Sequence, residues 1–284
     1  MKLSIETYVL AKKFGDFEGL RFIKNAGFDC VDMSYYWTTE GSELLSERYR
    51  EYALELRAHL DALGLVCNQA HAPFSLKLGE AFSKETPAYR DIVRSIESAA
   101  ILGAKTIIVH SLGEGIVFEK QSNLDFYKSL EPFCEKFNIC IGVENLFVFD
   151  KKRQHYQGKL KTPTELCAFI RELNSPRFVA CVDIGHAALT GCEPEDFILG
   201  MQDHLLQALH VQDGDYRGDR HTLPYLGNYN WEKIMQALRQ VDYRGELTFE
   251  IFGYLKQIPN DLMPDALAFA EKTGRRLISM FEEA

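Results

Sequence analysis

One short unit recurs along this chain: an amphipathic stretch, a glycine or small polar turn, then a brief apolar run rich in β-formers. NAGFDCVDMS (25–34), ALGLVCNQAH (62–71), ILGAKTIIVH (101–110), KFNICIGVEN (136–145), NSPRFVACVD (174–183) and YRGELTFEIF (243–252) all have this form. KLSIET at the start and LQALHVQD near 210 bring the strand candidates to eight. Helix patterns lie between them at 17–26, 43–63, 87–102, 122–137, 163–173, 194–205, 231–240 and 261–281. Gly27, Gly64, Gly103 and Gly245 suit the left-handed position that closes a helix. Pro87 and the pair Thr162-Pro163 suit helix starts. The strands are nearly continuous in apolar residues, as parallel strands buried on both faces are. Strict βα alternation, eight times over, predicts an α/β fold with a single (β/α)8 TIM barrel, read as one domain over 1–284 because no Pro/Ser-rich linker breaks the pattern. A doubly wound open sheet is the competing architecture, but no Gly-rich fingerprint follows the first strand.

Length and composition agree with that reading. A chain of 284 residues, 46% hydrophobic, has ample core for one large α/β domain. A net charge of −9 argues against a general nucleic-acid or anionic-membrane binder. No signal-peptide pattern opens the chain and no apolar run reaches a membrane span, so the expected location is cytoplasmic. The seven cysteines form no CxxC pair and read as reduced packing thiols.

In a barrel, the loops after the strand C-termini build the active face. Six consecutive strands end there in an ionisable or ligating residue: His71, His110, Glu144, Asp183 with His186 just after it, His210, and Glu250. The seventh strand runs on as LHVQDGDYRGDRH (209–221), whose loop adds Asp219 and His221. Imidazoles and carboxylates converging on one mouth are what a divalent metal such as zinc, manganese, cobalt or iron takes. Glu144 and Glu250 follow apolar runs, so each is a half-buried carboxylate that asks for a cation. Asp183 and His186 form D-x-x-H, which also suits an Asp capping a turn. His71 and His110 read equally as metal ligands, substrate-orienting groups or hydrogen-bonded core histidines, and Asp219 with His221 as a clamp or a solvated loop. Asp213 and Asp215 read as loop-shaping residues; Glu6 and Asp32 read as structural hydrogen-bonding groups; His59, His155 and His204 have no assigned role. The segment 151–161, KKRQHYQGKLK, carries five cations and no acid. It reads first as a solvated loop and second as a clamp for an anionic substrate, a role open also to Arg217 and Arg220. Tyr8, Trp37, Phe74, Phe147, Tyr225 and Trp231 are aromatics near the mouth.

NQAHAP (68–73), VHS (109–111), VENL (143–146), CVDIGHA (181–187), LHVQDGD with DRHTLPYLGNYNW (209–231) and TFEIFG (248–253) resemble the xylose isomerase-like TIM barrel superfamily, and within it the sugar phosphate isomerase/epimerase group. The resemblance implies one divalent metal on Glu144, Asp183, His210 and Glu250, with Glu144 and Glu250 doubling as the acid/base pair and His186 and Arg217 facing substrate. The superfamily also holds the endonuclease IV type of repair enzyme, whose three-zinc pattern is filled here. His71, His110 and Glu144 would hold one zinc, Glu144, Asp183, His210 and Glu250 the second, and His186, Asp219 and His221 the third. NLFVFDKK after Glu144, TLPYLG after His221 and Glu-Ile-Phe in the eighth strand depart from the repair enzymes, whereas Gln212 and Tyr229-Asn230 depart from the sugar group.

The expected function is therefore a metal-dependent isomerase or epimerase of a small sugar or sugar phosphate, with proton transfer α to a polarised carbonyl. The alternatives are a zinc phosphodiesterase on abasic DNA, and an inositol- or hydroxypyruvate-type isomerase or dehydratase. A metal-free binding protein would leave the ligating residues idle. Expected partners are a small-molecule sugar and a second copy of the chain in a homo-oligomer, with neither nucleic acid nor membrane.

Overall fold

The structure, a computed structural model, describes residues 1–36, 42–79, 81–113, 118–152 and 154–283. Eight parallel strands form the barrel: β1 (Leu3–Glu6), β2 (Cys30–Ser34), β3 (Val66–His71), β4 (Thr106–Ile108), β5 (Cys140–Glu144), β6 (Phe178–Asp183), β7 (Leu206–His210) and β8 (Leu247–Phe249). From β1 to β7 each strand pairs with the next, and β1 pairs with β8 through Leu3↔Leu247 and Ile5↔Phe249. The remaining seam, between β7 and β8, is closed at its C-terminal end by the parallel bridge Val211↔Phe249. Val211 N–H donates to Thr248 O at 2.8 Å and Glu250 N–H to Val211 O at 3.0 Å. Eight strands and a closed seam make this a (β/α)8 barrel and set aside the open sheet. At the other end of the barrel, the starts of β7 and β8 part around a cavity of about 510 Å³ lined by Gln207, Tyr243 and Glu246.

The helices follow the pattern of the sequence with instructive differences. Pro87–Leu102 and Pro163–Leu173 begin as expected, capped by Thr86 and Thr162, whose side chains accept the backbone N–H groups of Tyr89 and Glu165. Gly27, Gly64 and Gly103 are left-handed closures. Gly245 is not: the helix Trp231–Gln240 ends earlier, and Asp242 takes the left-handed conformation at φ 53°. The expected helix at 194–205 stops at Leu199, and the left-handed Asp203 and His204 bar it from reaching 205. The expected helix at 43–63 begins at Tyr49, and a short helix, Tyr8–Phe14, precedes that of Asp16–Ala26.

The basic segment after β5 is half of an antiparallel hairpin, Leu146–Asp150 with His155–Lys159. Lys151 and Lys152 are exposed at its turn, Arg153 and Trp37 lie outside the described residues, and Lys159 is buried. The Lys159 ammonium donates to Leu112 O at 3.1 Å and Gly113 O at 2.6 Å, which ties the hairpin to the loop after β4. Among the described residues no helix is long and apolar enough to cross a membrane.

Candidate functional site

A cavity of about 550 Å³ opens at the C-terminal ends of the strands. Its floor carries His71, His110, Glu144, His186, His221 and Glu250, and Asp219 reaches it from the β7 loop. Asp183 and His210 lie just beneath, fully buried. The loop folds back because Asp213 pairs with Thr222 in an antiparallel bridge. Asp213 is a loop-shaping residue, as its neighbours suggested: its carboxylate accepts from Tyr225 N, Tyr229 N and the Trp231 indole. Asp215 accepts from Arg217 N, Gly218 N and the Arg220 guanidinium.

The expected quartet closes into a ring. Glu144 Oε1 meets His210 Nδ1 at 2.8 Å, and Glu250 Oε2 lies 3.7 Å from the same nitrogen. Asp183 and Glu250 share a group of ligand atoms within 4.8 Å with His221, and Asp183 and Glu144 share another with His186. His71, His110 and Glu144 form a third such group and His186, Asp219 and His221 a fourth. Asp183 fills both of its expected roles: Oδ1 accepts the backbone N–H of His186 at 2.7 Å and so caps the helix Ile184–Leu189. Asn145 locks β5 to β6 by accepting Asp183 N at 2.8 Å and donating to Asp183 O at 2.9 Å.

Three of the imidazoles share one orientation device. His71 donates Nδ1–H to Ala72 O at 2.8 Å, His186 to Asn145 O at 2.9 Å and His221 to Glu250 O at 2.9 Å. Fixing the tautomer this way turns each Nε2 toward the cavity, as metal-ligating histidines are held. His71 Nε2 then faces His110 Nε2 at 3.0 Å, and His110 Nε2 also lies 2.8 Å from Glu144 Oε2. Glu144 Oε2 is buried and, among the described residues, has no aligned hydrogen-bond donor. One proton cannot serve both contacts, and a buried acceptor without a donor is costly. A divalent cation among His71, His110 and Glu144 would relieve both contacts, and the neighbouring set of Glu144, Asp183, His210 and Glu250, three carboxylates and an imidazole, suits zinc, manganese, cobalt or iron, so the residues fit a metal.

The electrostatics separate the two glutamates. Burial works against the Glu144 anion, but His210 and His110 outweigh it and hold the carboxyl well below its usual range. Burial pushes Glu250 well above that range; His210 opposes this, while Asp183 and Glu144 add to it. Burial, with His110 and His210, keeps the His71 imidazole neutral. For His186 burial disfavours charge, but Asp183, Asp219 and Glu144 raise its pKa on balance.

Several neighbours were not singled out as functional from the sequence. Asp32 Oδ2 stands 3.5 Å from His210 Nε2 and accepts Gln69 Nε2 at 2.7 Å. Glu6, one strand away, is pushed up to about 7 by burial, with Tyr8 N–H and the Tyr36 hydroxyl pulling it down. The hairpin roofs the cavity with Leu146, Phe147, Val148 and Phe149. Of the other aromatics named from the sequence, Tyr8 and Phe74 line the wall, whereas Tyr225 is exposed and Trp231 is spent on Asp213. Arg217 is exposed in the loop and outside the lining, and Arg220 is paired with Asp215 at 3.0 Å. The structure therefore does not bring Arg217 to the cavity with His186. All seven cysteines are free; Cys181 lies within reach of Glu144 and His210, with its thiol pushed up to about 12 by burial.

The family described as xylose isomerase-like TIM barrel matches residues 20–273. The chain is similar to the uncharacterized protein MJ1311 of Methanocaldococcus jannaschii, 28% identical over 225 residues that cover 74% of this chain and 72% of that protein. It is also similar to D-psicose 3-epimerase of Enterocloster bolteae, 24% identical over 84% of this chain and 80% of that enzyme. Among solved structures, a D-tagatose 3-epimerase-like protein superposes with a TM-score of 0.76 at 22% identity, covering 100% of this chain and 99% of that one. The IOLI protein with a bound zinc atom superposes with a TM-score of 0.75 at 15% identity, covering 99% of each chain. At these identities the structural likenesses establish a shared fold.

Proposed function

The chain belongs to the xylose isomerase-like TIM barrel family, and we propose that it is a metal-dependent isomerase or epimerase of a small sugar or sugar phosphate. The observation that carries this reading is the approach of two carboxylates, Glu144 from β5 and Glu250 from β8, to one imidazole nitrogen, His210 Nδ1. A relative named D-psicose 3-epimerase and a fold neighbour named a D-tagatose 3-epimerase-like protein support the same substrate class.

Glu144, Asp183, His210 and Glu250 would hold the cation, whose Lewis acidity makes a C–H beside a substrate carbonyl acidic. Glu144 and Glu250 stand ready to take that proton and to return one, either on the opposite face of the same carbon or on the neighbouring carbon. His186, with Nδ1–H committed to Asn145 O, offers Nε2 to a substrate oxygen. The hairpin residues Leu146, Phe147 and Val148 line the cavity and would shield a bound substrate from water. A chamber of about 550 Å³ under that roof has the size of small-molecule sites. This sets the sugar reading ahead of the zinc phosphodiesterase, although the His71–His110–Glu144 and His186–Asp219–His221 groups fill the latter's pattern.

The test is solvent deuterium exchange into a panel of ketoses and ketose phosphates, followed by NMR. The metal-loaded protein should exchange one C–H beside the carbonyl, and the product identifies an epimer or an isomer. Glu144→Gln and Glu250→Gln should each abolish exchange. Full exchange in either variant would remove that glutamate from the mechanism.

A further inference from the structure

The cavity of about 510 Å³ at the other end of the barrel has no part in the reaction proposed above. It exists because, among the described residues, β7 and β8 are joined only at the Val211↔Phe249 bridge. Below that bridge the strands part, and two residues of β3, Asn68 and Gln69, are reached through the gap.

Both are buried. Gln69 Nε2 donates to Asp32 Oδ2 at 2.7 Å and lies 3.5 Å from Leu209 O. That commitment leaves Oε1 to the cavity that Gln69 lines, and among the described residues no group donates to it. An amide oxygen at a cavity wall is satisfied by whatever fills the cavity. Beside it, Asn68 Oδ1 accepts the Ser4 hydroxyl at 2.7 Å, while Asn68 Nδ2 reaches Glu246 and Thr248 only at 3.4 and 3.5 Å. An acceptor and a donor with capacity to spare therefore stand on adjacent residues.

Charge and surface narrow the occupant. Lys105 and Arg244 are balanced by Asp242 and Glu246, and Arg244 is closed on Asp242 at 2.6 Å, so the lining favours an ion of neither sign. Leu206 and Tyr243 give the wall apolar surface. Hydroxyl groups on a carbon skeleton each give and take hydrogen bonds and leave C–H faces for such a wall. We infer that this cavity is a second binding site, which takes a neutral polyhydroxylated molecule, a sugar or polyol, and is coupled to the metal ring through Gln69.

The coupling follows from one shared oxygen. Asp32 Oδ2 accepts Gln69 Nε2 and also stands 3.5 Å from His210 Nε2. A hydroxyl donating to Gln69 Oε1 polarises the amide and strengthens its N–H bond to that oxygen. Less of the carboxylate charge is then left to support His210, so the ring holds its ion more weakly. By linkage, a bound ion weakens the sugar or polyol by the same factor. Gln69 is the positioning residue in this path. The coupling, though not the lower site itself, rests on the metal-dependent reading of the upper cavity.

The experiment titrates the 15N-labelled, chelator-stripped full chain with D-glucitol and with methyl β-D-glucopyranoside, using D-glucose 6-phosphate as the charged control. Saturable NMR shifts should appear at the Gln69 side-chain amide and the Gly245 backbone amide. The tighter of the two neutral probes tells an open chain from a ring, and the phosphate should bind more weakly than either. Zinc affinity, read by chelator competition, should fall roughly 5-fold at saturating neutral probe. Gln69→Met should weaken the Gly245 response and abolish the effect on zinc. The inference is overturned by no saturable shift from either neutral probe, by shifts confined to upper-cavity residues such as Phe147, by tighter binding of the phosphate, or by a zinc affinity that the probe leaves unmoved. The first three outcomes do not depend on Gln69→Met folding. Absence of any zinc equivalent that depends on Glu144 removes the functional reading alone, and the shifts at Gln69 then decide the lower site.

Discussion

Asp32 Oδ2 stands 3.5 Å from His210 Nε2, while the opposite ring nitrogen meets Glu144 at 2.8 Å. The imidazole is thus gripped between β2 and β5 although it belongs to β7. Burial disfavours charge on this ring, but Cys181, Glu250, Glu144 and Asp32 outweigh it and raise its pKa well above the usual value. A carboxylate behind a ligating histidine raises its basicity and holds its plane. Asp32→Asn should therefore weaken zinc or manganese binding about 10-fold or more, measured by competition with a chelator. Unchanged affinity would reduce Asp32 to a partner of Gln69.

Glu6 gives a pH dependence. Its folded pKa of about 7 lies above the ordinary value of 4.5, so the folded chain keeps a proton that the unfolded chain releases between those values. The folded state then binds more protons, and stability falls as pH rises through that window. Glu6→Gln removes the titration. Relative to wild type, its stability should improve by about 3 kcal/mol between pH 4.5 and 8, read from urea unfolding at both pH values. Parallel pH profiles for the two proteins would contradict this.

Gly253 allows the β8 loop to lie against the β7 loop. A Cβ there would run into the carbonyl of Arg220 and come within 2.9 Å of that of His221. Tyr254 N–H donates to that same His221 carbonyl at 3.1 Å. Gly253→Ala should cost about 1–3 kcal/mol of unfolding free energy and displace His221, lowering exchange activity as well. Wild-type stability and activity in this variant would mean that the two loops yield freely.

Phe147 reaches from the hairpin to His186, with ring centroids 4.9 Å apart, and to Tyr156 at 5.3 Å. Phe147→Ala should raise KM about 10-fold, near the lower end of the roughly 1.5–3 kcal/mol that full burial of such a side chain supplies, because Phe147 is half-buried, with Phe147→Leu recovering part of it. A change in kcat alone would place Phe147 with the reacting groups instead.

The strand ends were legible because each parallel strand is an apolar run cut short by a polar residue. His71, Glu144, Asp183 and His210 are the last residues of their strands, Glu250 follows its strand directly and His110 lies two residues on. The hairpin was obscured by the lysines around it, although Leu-Phe-Val-Phe after Asn145 is rich in β-formers and bears the roof. Asp32, Gln69 and Gln212 were illegible as a set. They stand on or just after β2, β3 and β7, and only barrel closure brings them to His210 and Asp183. Gly245 misled because it follows a helix. Its crowding against the Tyr243 hydroxyl and Gln207 O points to a packing role, which no local pattern reveals.

The bridge that closes the barrel, Val211↔Phe249, is flanked by His210 immediately before it and Glu250 immediately after it. An ion gripped by that pair would span the last seam in the wall, acting as a clasp. Removing it would then loosen the junction of β7 and β8 first, and the amides of Val211 and Glu250 would report the opening by faster hydrogen exchange. On this reading, the groups that prepare the chemistry also fasten the container in which it happens.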